Sequence, residues 1–189
     1  FRNERLALPI NFLATHVALS NKPRLLRIDS RRTVPPNATR TNRRNTMNIS
    51  LAQLSAFGWE VFRQAGLSQA DAATATDALL AADSWGIHTH GLKNLSGYVK
   101  RLKAGGINPL GQAWVAAEGP AWARVDGDAS LGMIGSTFAM RQAIRKAEAS
   151  GIGFAGLRNS CHFGAAGCYA TLAADEGMIG IAMCNDTPT

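Results

Sequence analysis

Apolar residues recur every three or four positions across residues 47–105, which predicts three amphipathic helices. The first begins with a capping box at Ser50, where a serine is followed three residues later by glutamine. The second is rich in alanine and ends near Gly86, and the third runs from about Gly91 to Lys103. We therefore predict a small helical unit over this part of the chain.

The pattern changes after residue 105. Two short apolar runs separated by Gly119 and Pro120 predict a pair of strands. They are followed by a helix "IGSTFAMRQAIRKAEASG", a strand "IGFAGLR", a helix "GAAGCYATLAADEG" and a strand "MIGIAMC". Alternation of helices with continuously apolar strands is typical of an α/β layer. Because the sequence stops just after the last strand, we interpret residues 106–189 as the first part of a truncated α/β domain.

The formal charge of +7 comes from the first quarter of the chain. Residues 1–46 hold ten basic and two acidic residues, whereas the other 143 hold ten and eleven. The remainder therefore lacks the charge for long-range attraction to nucleic acid. Residues 1–46 also lack a sustained helical or alternating period. We interpret them as a disordered basic leader, either translated upstream of Met47 or used for organellar targeting, and exclude them from the fold.

Apolar runs and cysteines limit the cellular setting. No run approaches the roughly 20 apolar residues that span a membrane. The three cysteines, Cys161, Cys168 and Cys184, include no CxxC pair. An odd number without close pairs favours free thiols and a cytoplasmic protein. Two of them lie near His162, but no close ligand pair supports a zinc site there.

The stretch "GIGFAG" at residues 151–156 matches the glycine pattern of the dinucleotide fingerprint. That fingerprint requires a strand before the glycines and a helix after them. Here a predicted helix precedes Gly151 and a predicted strand follows it. Gly151 is therefore predicted to end a helix, not to bind phosphate.

Two other stretches hold candidate chemistry. "NSCHFG" places Asn159, Ser160 and His162 between a predicted strand and helix, where α/β proteins often bind ligands. A histidine there can act as a general acid or base, or it can be an ordinary polar residue beside a helix cap. "GIHTHG" places His88 and His90 two residues apart, which fits a metal pair, a site residue or two polar residues at a helix start. A metal is disfavoured, because no acidic residue follows at close helical spacing.

Together these stretches resemble the two signature regions of the malate/L-lactate dehydrogenase family. "ADSWGIHTHGLKNLSGYVKRLKAGGINP" is similar to S-H-G-[IV]-x-R-x-x-x-Y followed by "AGGINP", and "NSCHFGAAGCY" is similar to N-S-x-H-F-G-x-A-x-x-Y. The resemblance runs from Met47 to Thr189. It implies a helical domain, residues 47–105, followed by the start of a non-Rossmann NAD(P)-binding α/β domain.

The resemblance implies hydride transfer between NAD or NADP and a small 2-hydroxy acid, in a homodimer that binds neither membrane nor nucleic acid. His162 corresponds to the acid/base residue, and His90 lies by the nicotinamide and the substrate. Thr89 replaces the usual serine, and Tyr98 lines the substrate pocket. The implied cofactor contacts are His90, Asn159, Gly164 and Asp186. His88 corresponds to no functional position, and no metal is implied.

Asn94 departs from the family, which usually has an arginine at this position to clamp the substrate carboxylate. Asparagine can donate a hydrogen bond but has no charge. Lys93 can supply a point charge, although it leaves the helix about 100° away. We predict that Lys93 and Asn94 contact the substrate, and that either the substrate is held differently or Lys93 substitutes for the arginine.

Members of this family are longer, and their later segments supply further cofactor contacts. We therefore expect the 189-residue chain alone to be inactive or nearly so. Oxidation of malate, lactate or ureidoglycolate by the purified chain at an enzyme-like rate would contradict this. The alternative is a non-catalytic truncated remnant or an interaction module. A reading frame that continues past Thr189 favours the enzyme, and a genuine stop codon favours the remnant.

Overall fold

The computed structural model describes residues 14–20 and 49–185. Its elements are β1 (Ala14–Ser20), α1 (Leu51–Gln64), α2 (Gln69–Ser84), α3 (Leu95–Lys103), β2 (Trp114–Glu118), β3 (Trp122–Asp126), α4 (Gly132–Ser150), β4 (Ile152–Arg158), α5 (Gly167–Asp175) and β5 (Met178–Cys184). Two single-turn 3₁₀ helices, His88–His90 and Leu92–Asn94, connect α2 to α3. None of the helices in these described ranges combines the length and apolar character needed to cross a membrane.

The three predicted N-terminal helices are present and share one apolar core. The predicted capping box forms between Ser50 and Gln53 at the start of α1. Buried side chains from α1, α2 and α3 cluster with Leu131 and Met133, so the helical unit packs directly on the start of α4. Helix α3 starts later than the pattern predicted, because Gly91 is extended and the following residues form a 3₁₀ turn.

The predicted α/β layer is confirmed. The sheet has the order β2-β3-β4-β1-β5, with β2 antiparallel to β3 and β3 parallel to β4. Helix α4 makes the crossover between the parallel strands, and α4 and α5 cover one face of the sheet. The opposite face exposes large apolar side chains. They are Trp114, Trp122, Ile152, Phe154, Ile179, Ile181 and Met183.

Strand β1 contradicts the interpretation of residues 1–46 as wholly outside the fold. It pairs antiparallel with both β4 and β5, at the centre of that half of the sheet. Its buried positions are His16 and Ala18, whereas Val17 and Leu19 are only partly buried. The alternation of polar and apolar residues therefore does not predict this strand, because a histidine and a small residue face the core and larger apolar residues face away.

His16 makes the stability of this sheet depend on pH. Its ring is fully buried, edge-on to Phe163 and Tyr169 at centroid distances of 6.5 Å and 5.6 Å. Burial disfavours the charged imidazolium and lowers the pKa from 6.5 to about 4. Between these values the unfolded chain binds a proton that the folded chain does not. The contribution of neutral His16 to the free energy of unfolding is therefore fully present above pH 6.5. It is lost as the pH falls towards 4.

We expect the free energy of unfolding to fall by about 2 kcal/mol between about pH 7 and about pH 5 through this residue. Urea unfolding at several pH values measures it. His16→Gln, which cannot titrate, should remove that part of the pH dependence while leaving the contribution of the carboxylates. An unchanged pH slope in His16→Gln would rule out this role for His16.

Candidate active site

A cavity of about 410 Å³ lies where the helical unit meets the loop after β4. Its lining residues are Thr89, Lys93, Asn94, Ser96, Gly97, Tyr98, Arg101 and His162. All but one come from the 3₁₀ turns and α3, and His162 comes from the loop that connects β4 to α5. The fold thus brings together the two sequence stretches that were singled out for their chemistry.

His162 and Tyr98 form the central polar contact of this cavity. The Tyr98 hydroxyl lies 2.6 Å from His162 Nδ1. The backbone N–H of Gly164 also points at Nδ1, at 3.4 Å, which makes Nδ1 the acceptor and the tyrosine hydroxyl its donor. Burial raises the pKa of Tyr98, so the phenol stays protonated at neutral pH. The pair can therefore pass a proton without forming a phenolate at rest.

The loop that holds His162 is fixed by aromatic packing behind it. Phe163 is buried, and its ring stacks on Tyr169 of α5 at a centroid distance of 5.0 Å. The Tyr169 hydroxyl donates to the Phe163 carbonyl. Gly164 follows with a φ of 77°, which lets the backbone turn into the segment before α5. These contacts fix the backbone next to His162 and thereby the position of its imidazole ring.

His90 lies beside His162 but is not itself one of the residues that line the cavity. The two rings stack with centroids 5.6 Å apart and planes 26° apart. Thr89 Oγ1 lies 2.9 Å from His90 Nδ1, so the threonine hydroxyl orients the ring. The Asn94 amide donates to the Thr89 carbonyl at 2.7 Å. Asn94 therefore lines the cavity but uses its amide to hold the turn that presents His90.

The Asp83 carboxylate anchors the same turn from the end of α2. One oxygen lies 3.0 Å from His88 Nδ1, and the other accepts the backbone N–H of Leu92 at 2.8 Å. A Cβ at Gly91 would overlap this carboxylate, which explains the glycine. His88, to which the resemblance gave no role, contacts this carboxylate with 73% of its side chain exposed, so the contact adds little to the hold on the loop.

Replacing Asp83 with alanine is expected to lower the free energy of unfolding by about 1–3 kcal/mol, because the partly buried Leu92 N–H loses its acceptor. The His90 turn should loosen at the same time. Asp77→Ala is the matched control, since Asp77 is an exposed aspartate on the same helix. Thermal or urea unfolding of the two variants tests the anchor. Equal stability of both variants would show that Asp83 does not hold the turn.

The cofactor contacts implied by the resemblance are only partly brought together. The Asn159 amide donates to Asp126 at 2.8 Å, and Asn159 does not line the cavity. Asp186 lies outside the described residues. Gly151 ends α4 in the left-handed conformation, as predicted, so "GIGFAG" does not form a phosphate-binding turn before a helix.

The resemblance implies a nicotinamide cofactor beside His90 and His162. A nicotinamide ring bound there would meet two imidazole rings whose planes are 26° apart, and aromatic rings pack on such surfaces. Gly164 has no side chain to fill the adjacent space, and a Cβ there would come no closer than 3.9 Å to the His90 carbonyl. These residues would hold the nicotinamide ring.

The thiols near His162 have separate partners. Cys161 Sγ accepts the Gly132 N–H at 3.3 Å, whereas the Cys168 thiol donates to the Ala78 carbonyl at 3.3 Å. Within residues 14–20 and 49–185, no group of three or more His, Cys, Asp or Glu side chains is placed to hold a metal ion. Burial raises the pKa of both thiols, which disfavours the thiolate forms.

Three lining residues were missed by the sequence analysis: Ser96, Gly97 and Arg101. Arg101 follows Tyr98 by three residues, and residues at this spacing share one face of a helix. That spacing was available in the sequence as a signal. The resemblance points instead to position 94 and to its neighbour Lys93 as the source of a cation.

Comparison with known proteins identifies a family that contains this chain. The model of the family described as malate/L-lactate dehydrogenase matches residues 49–189. A malate dehydrogenase of Pyrococcus abyssi is 42% identical over 144 residues, covering 76% of this chain and 40% of that protein. An L-sulfolactate dehydrogenase of Methanocaldococcus jannaschii is 39% identical over 129 residues, covering 68% and 38%.

The solved structure of a malate dehydrogenase from Pyrococcus horikoshii has the same fold over the shared region. It superposes with a TM-score of 0.68 at 38% identity, covering 69% of this chain and 38% of that chain. The chain thus spans about two fifths of the length of these relatives.

Proposed function

Because the chain belongs to the malate/L-lactate dehydrogenase family, we propose that the intact protein transfers hydride between NAD or NADP and a small 2-hydroxy acid. The observation that supports this most directly is the hydrogen bond between Tyr98 and His162 inside a polar cavity. A histidine at this place can act as the general acid/base group that oxidation of an alcohol requires. The relatives named above act on malate and L-sulfolactate, and these acids are the first substrates to test.

The proton of the substrate hydroxyl leaves through Tyr98 to His162. The phenol gives its own proton to Nδ1 as it takes the proton of the substrate, so that the tyrosine is neutral before and after the step. His162 becomes imidazolium, and in the reverse direction it returns the proton to the carbonyl oxygen. Tyr98 suits this role because its raised pKa keeps the proton in place until the imidazole accepts it.

A nicotinamide cofactor bound beside His90 and His162 would supply the hydride acceptor for the carbon that bears the hydroxyl group. The residues of this chain orient the reactants around that transfer. His90, held by Thr89, stacks on His162, and Lys93 is one of the cationic residues in the lining. The packing of buried Phe163 on Tyr169 holds the loop that carries His162.

A homodimer is part of this proposal. The uncovered face of the sheet exposes Trp122, Phe154 and Ile181, with relative exposures between 41% and 45%. Several exposed large apolar side chains on one sheet face are a feature of interaction surfaces. Sedimentation velocity of the intact protein should give the mass of two chains, and Phe154→Glu should shift it towards one. A monomeric wild type would contradict the dimer.

The activity is tested by adding L-malate, L-lactate, L-sulfolactate or ureidoglycolate to the intact protein with NAD+ or NADP+ and following reduced nicotinamide. We expect at least one acid to support turnover, and omission of the acid to abolish it. No turnover with any of these acids and either cofactor would overturn the proposal.

A further inference from the structure

The charge of the cavity points to its ligand. Lys93 and Arg101 both line it, and among the described residues no Asp or Glu lines it. Within residues 14–20 and 49–185, neither cation has a hydrogen-bond or ion-pair partner. Two unpaired cations at a polar cavity lower the free energy of a bound anion, since each would otherwise face only water.

Asn94 brings no charge to the cavity. One of the two N–H groups of its amide donates to the Thr89 carbonyl at 2.7 Å. An amide used in this way holds the turn that presents His90. At the position where the family has its arginine, this chain thus has Asn94, whose amide stabilises the turn before α3.

Arg101 lies on the same face of α3 as Tyr98, one turn further along the helix. Its positive charge acts on the Tyr98 phenol, because it lowers the pKa of Tyr98 against the larger effect of burial. It also acts on the Cys161 thiol, one residue before His162. The guanidinium is therefore within electrostatic reach of the residues that would handle the proton.

We propose that Arg101 binds the substrate carboxylate, in place of the arginine that the family usually has at position 94. A guanidinium presents two parallel N–H donors that match the two oxygens of a carboxylate, whereas the Lys93 ammonium offers only a point charge. The carboxylate thus approaches from the C-terminal half of α3, and the hydroxyl group meets Tyr98. This inference rests on the proposed function of the same cavity.

The test uses the intact protein and the most active acid of L-malate, L-lactate, L-sulfolactate and ureidoglycolate. Arg101→Gln is expected to lower kcat/KM by about 10- to 100-fold, mainly through a higher KM, because a charged hydrogen bond made in both ground and transition states is lost. Arg101→Lys keeps the positive charge but loses the planar pair of N–H donors. Its kcat/KM should therefore lie between those of the wild type and Arg101→Gln. Lys100→Gln is the matched control, since it removes an exposed charge from the neighbouring position of α3 outside the cavity lining.

The outcomes separate this inference from the proposed function. Wild-type KM in Arg101→Gln, or an equal rise in Lys100→Gln, would overturn the role of Arg101 while the wild-type activity stands. Absence of activity in the wild type with all four acids would overturn the proposed function and the inference with it. Unchanged thermal unfolding of Arg101→Gln, an exposed position, excludes misfolding as the cause of a raised KM.

Discussion

His162→Ala is expected to lower kcat of the intact protein by about 10²- to 10⁴-fold, because the variant has no group to accept the hydroxyl proton. The loss should appear in kcat and kcat/KM together, since the imidazole acts on charge that develops only in the transition state. The measurement is the steady-state rate of nicotinamide reduction with a saturating hydroxy acid. Wild-type turnover in this variant would remove His162 from the mechanism.

Two further variants sharpen this result. Tyr98→Phe keeps the aromatic ring but removes the hydroxyl that lies 2.6 Å from His162. If the substrate proton passes through Tyr98 to His162, this variant should lose as much activity as His162→Ala. His88→Ala is the matched control, because this histidine of the same stretch is 73% exposed and touches Asp83 and not the cavity. We expect His88→Ala to stay within a few-fold of the wild type. If His88→Ala lost most of its activity while His162→Ala kept it, His88 and not His162 would be the acid/base residue.

Gly132→Ala is expected to lower the free energy of unfolding by about 3 kcal/mol, at the upper end for overpacking. Gly132 is the first residue of α4, and an added Cβ would overlap the carbonyl oxygens of Cys161 and His162. Both neighbours are backbone atoms, so no side chain can rotate away. The displacement would move the catalytic loop directly, and activity should fall with stability.

Gly97→Ala provides the opposite result from the same chemical change. Gly97 lies inside α3, and a Cβ there would meet no atom within 4 Å. Alanine in a helix interior is favoured over glycine by about 0.5–1 kcal/mol. Urea unfolding should therefore show a gain for Gly97→Ala and a loss for Gly132→Ala. A Gly132→Ala variant as stable as the wild type would mean that α4 and the His162 loop are not in contact.

The sequence pattern predicted most of the fold, because its helices and core strands follow clear periods. The bounds of β4 and β5 match the predicted strands, and the capping box at Ser50 places the start of α1. Strand β1 escaped prediction because a histidine and an alanine face the core from it, which reverses the usual polarity. Its pairing partners, β4 and β5, are also more than 130 residues away, beyond the reach of any local pattern.

The candidate site was predicted less from pattern than from the resemblance of two short stretches. That resemblance assigned His162 and Tyr98 separately to the site, and the structure adds that their side chains are in contact across 64 residues of sequence. It could not reveal Asp83, whose role depends on where its carboxylate lies relative to a turn five to nine residues away. It also directed attention to position 94, whereas the cation that faces the cavity from α3 is Arg101.

Transfer of deuterium tests the central claim most directly. The intact protein is given its preferred hydroxy acid labelled with deuterium on the carbon that bears the hydroxyl, together with unlabelled NAD+ or NADP+. We predict that the label appears in the reduced nicotinamide, one deuterium for each acid oxidised, and that His162→Ala slows its appearance without diverting it. Release of the label to water, or oxidation of the acid with no labelled nicotinamide, would contradict hydride transfer at this site.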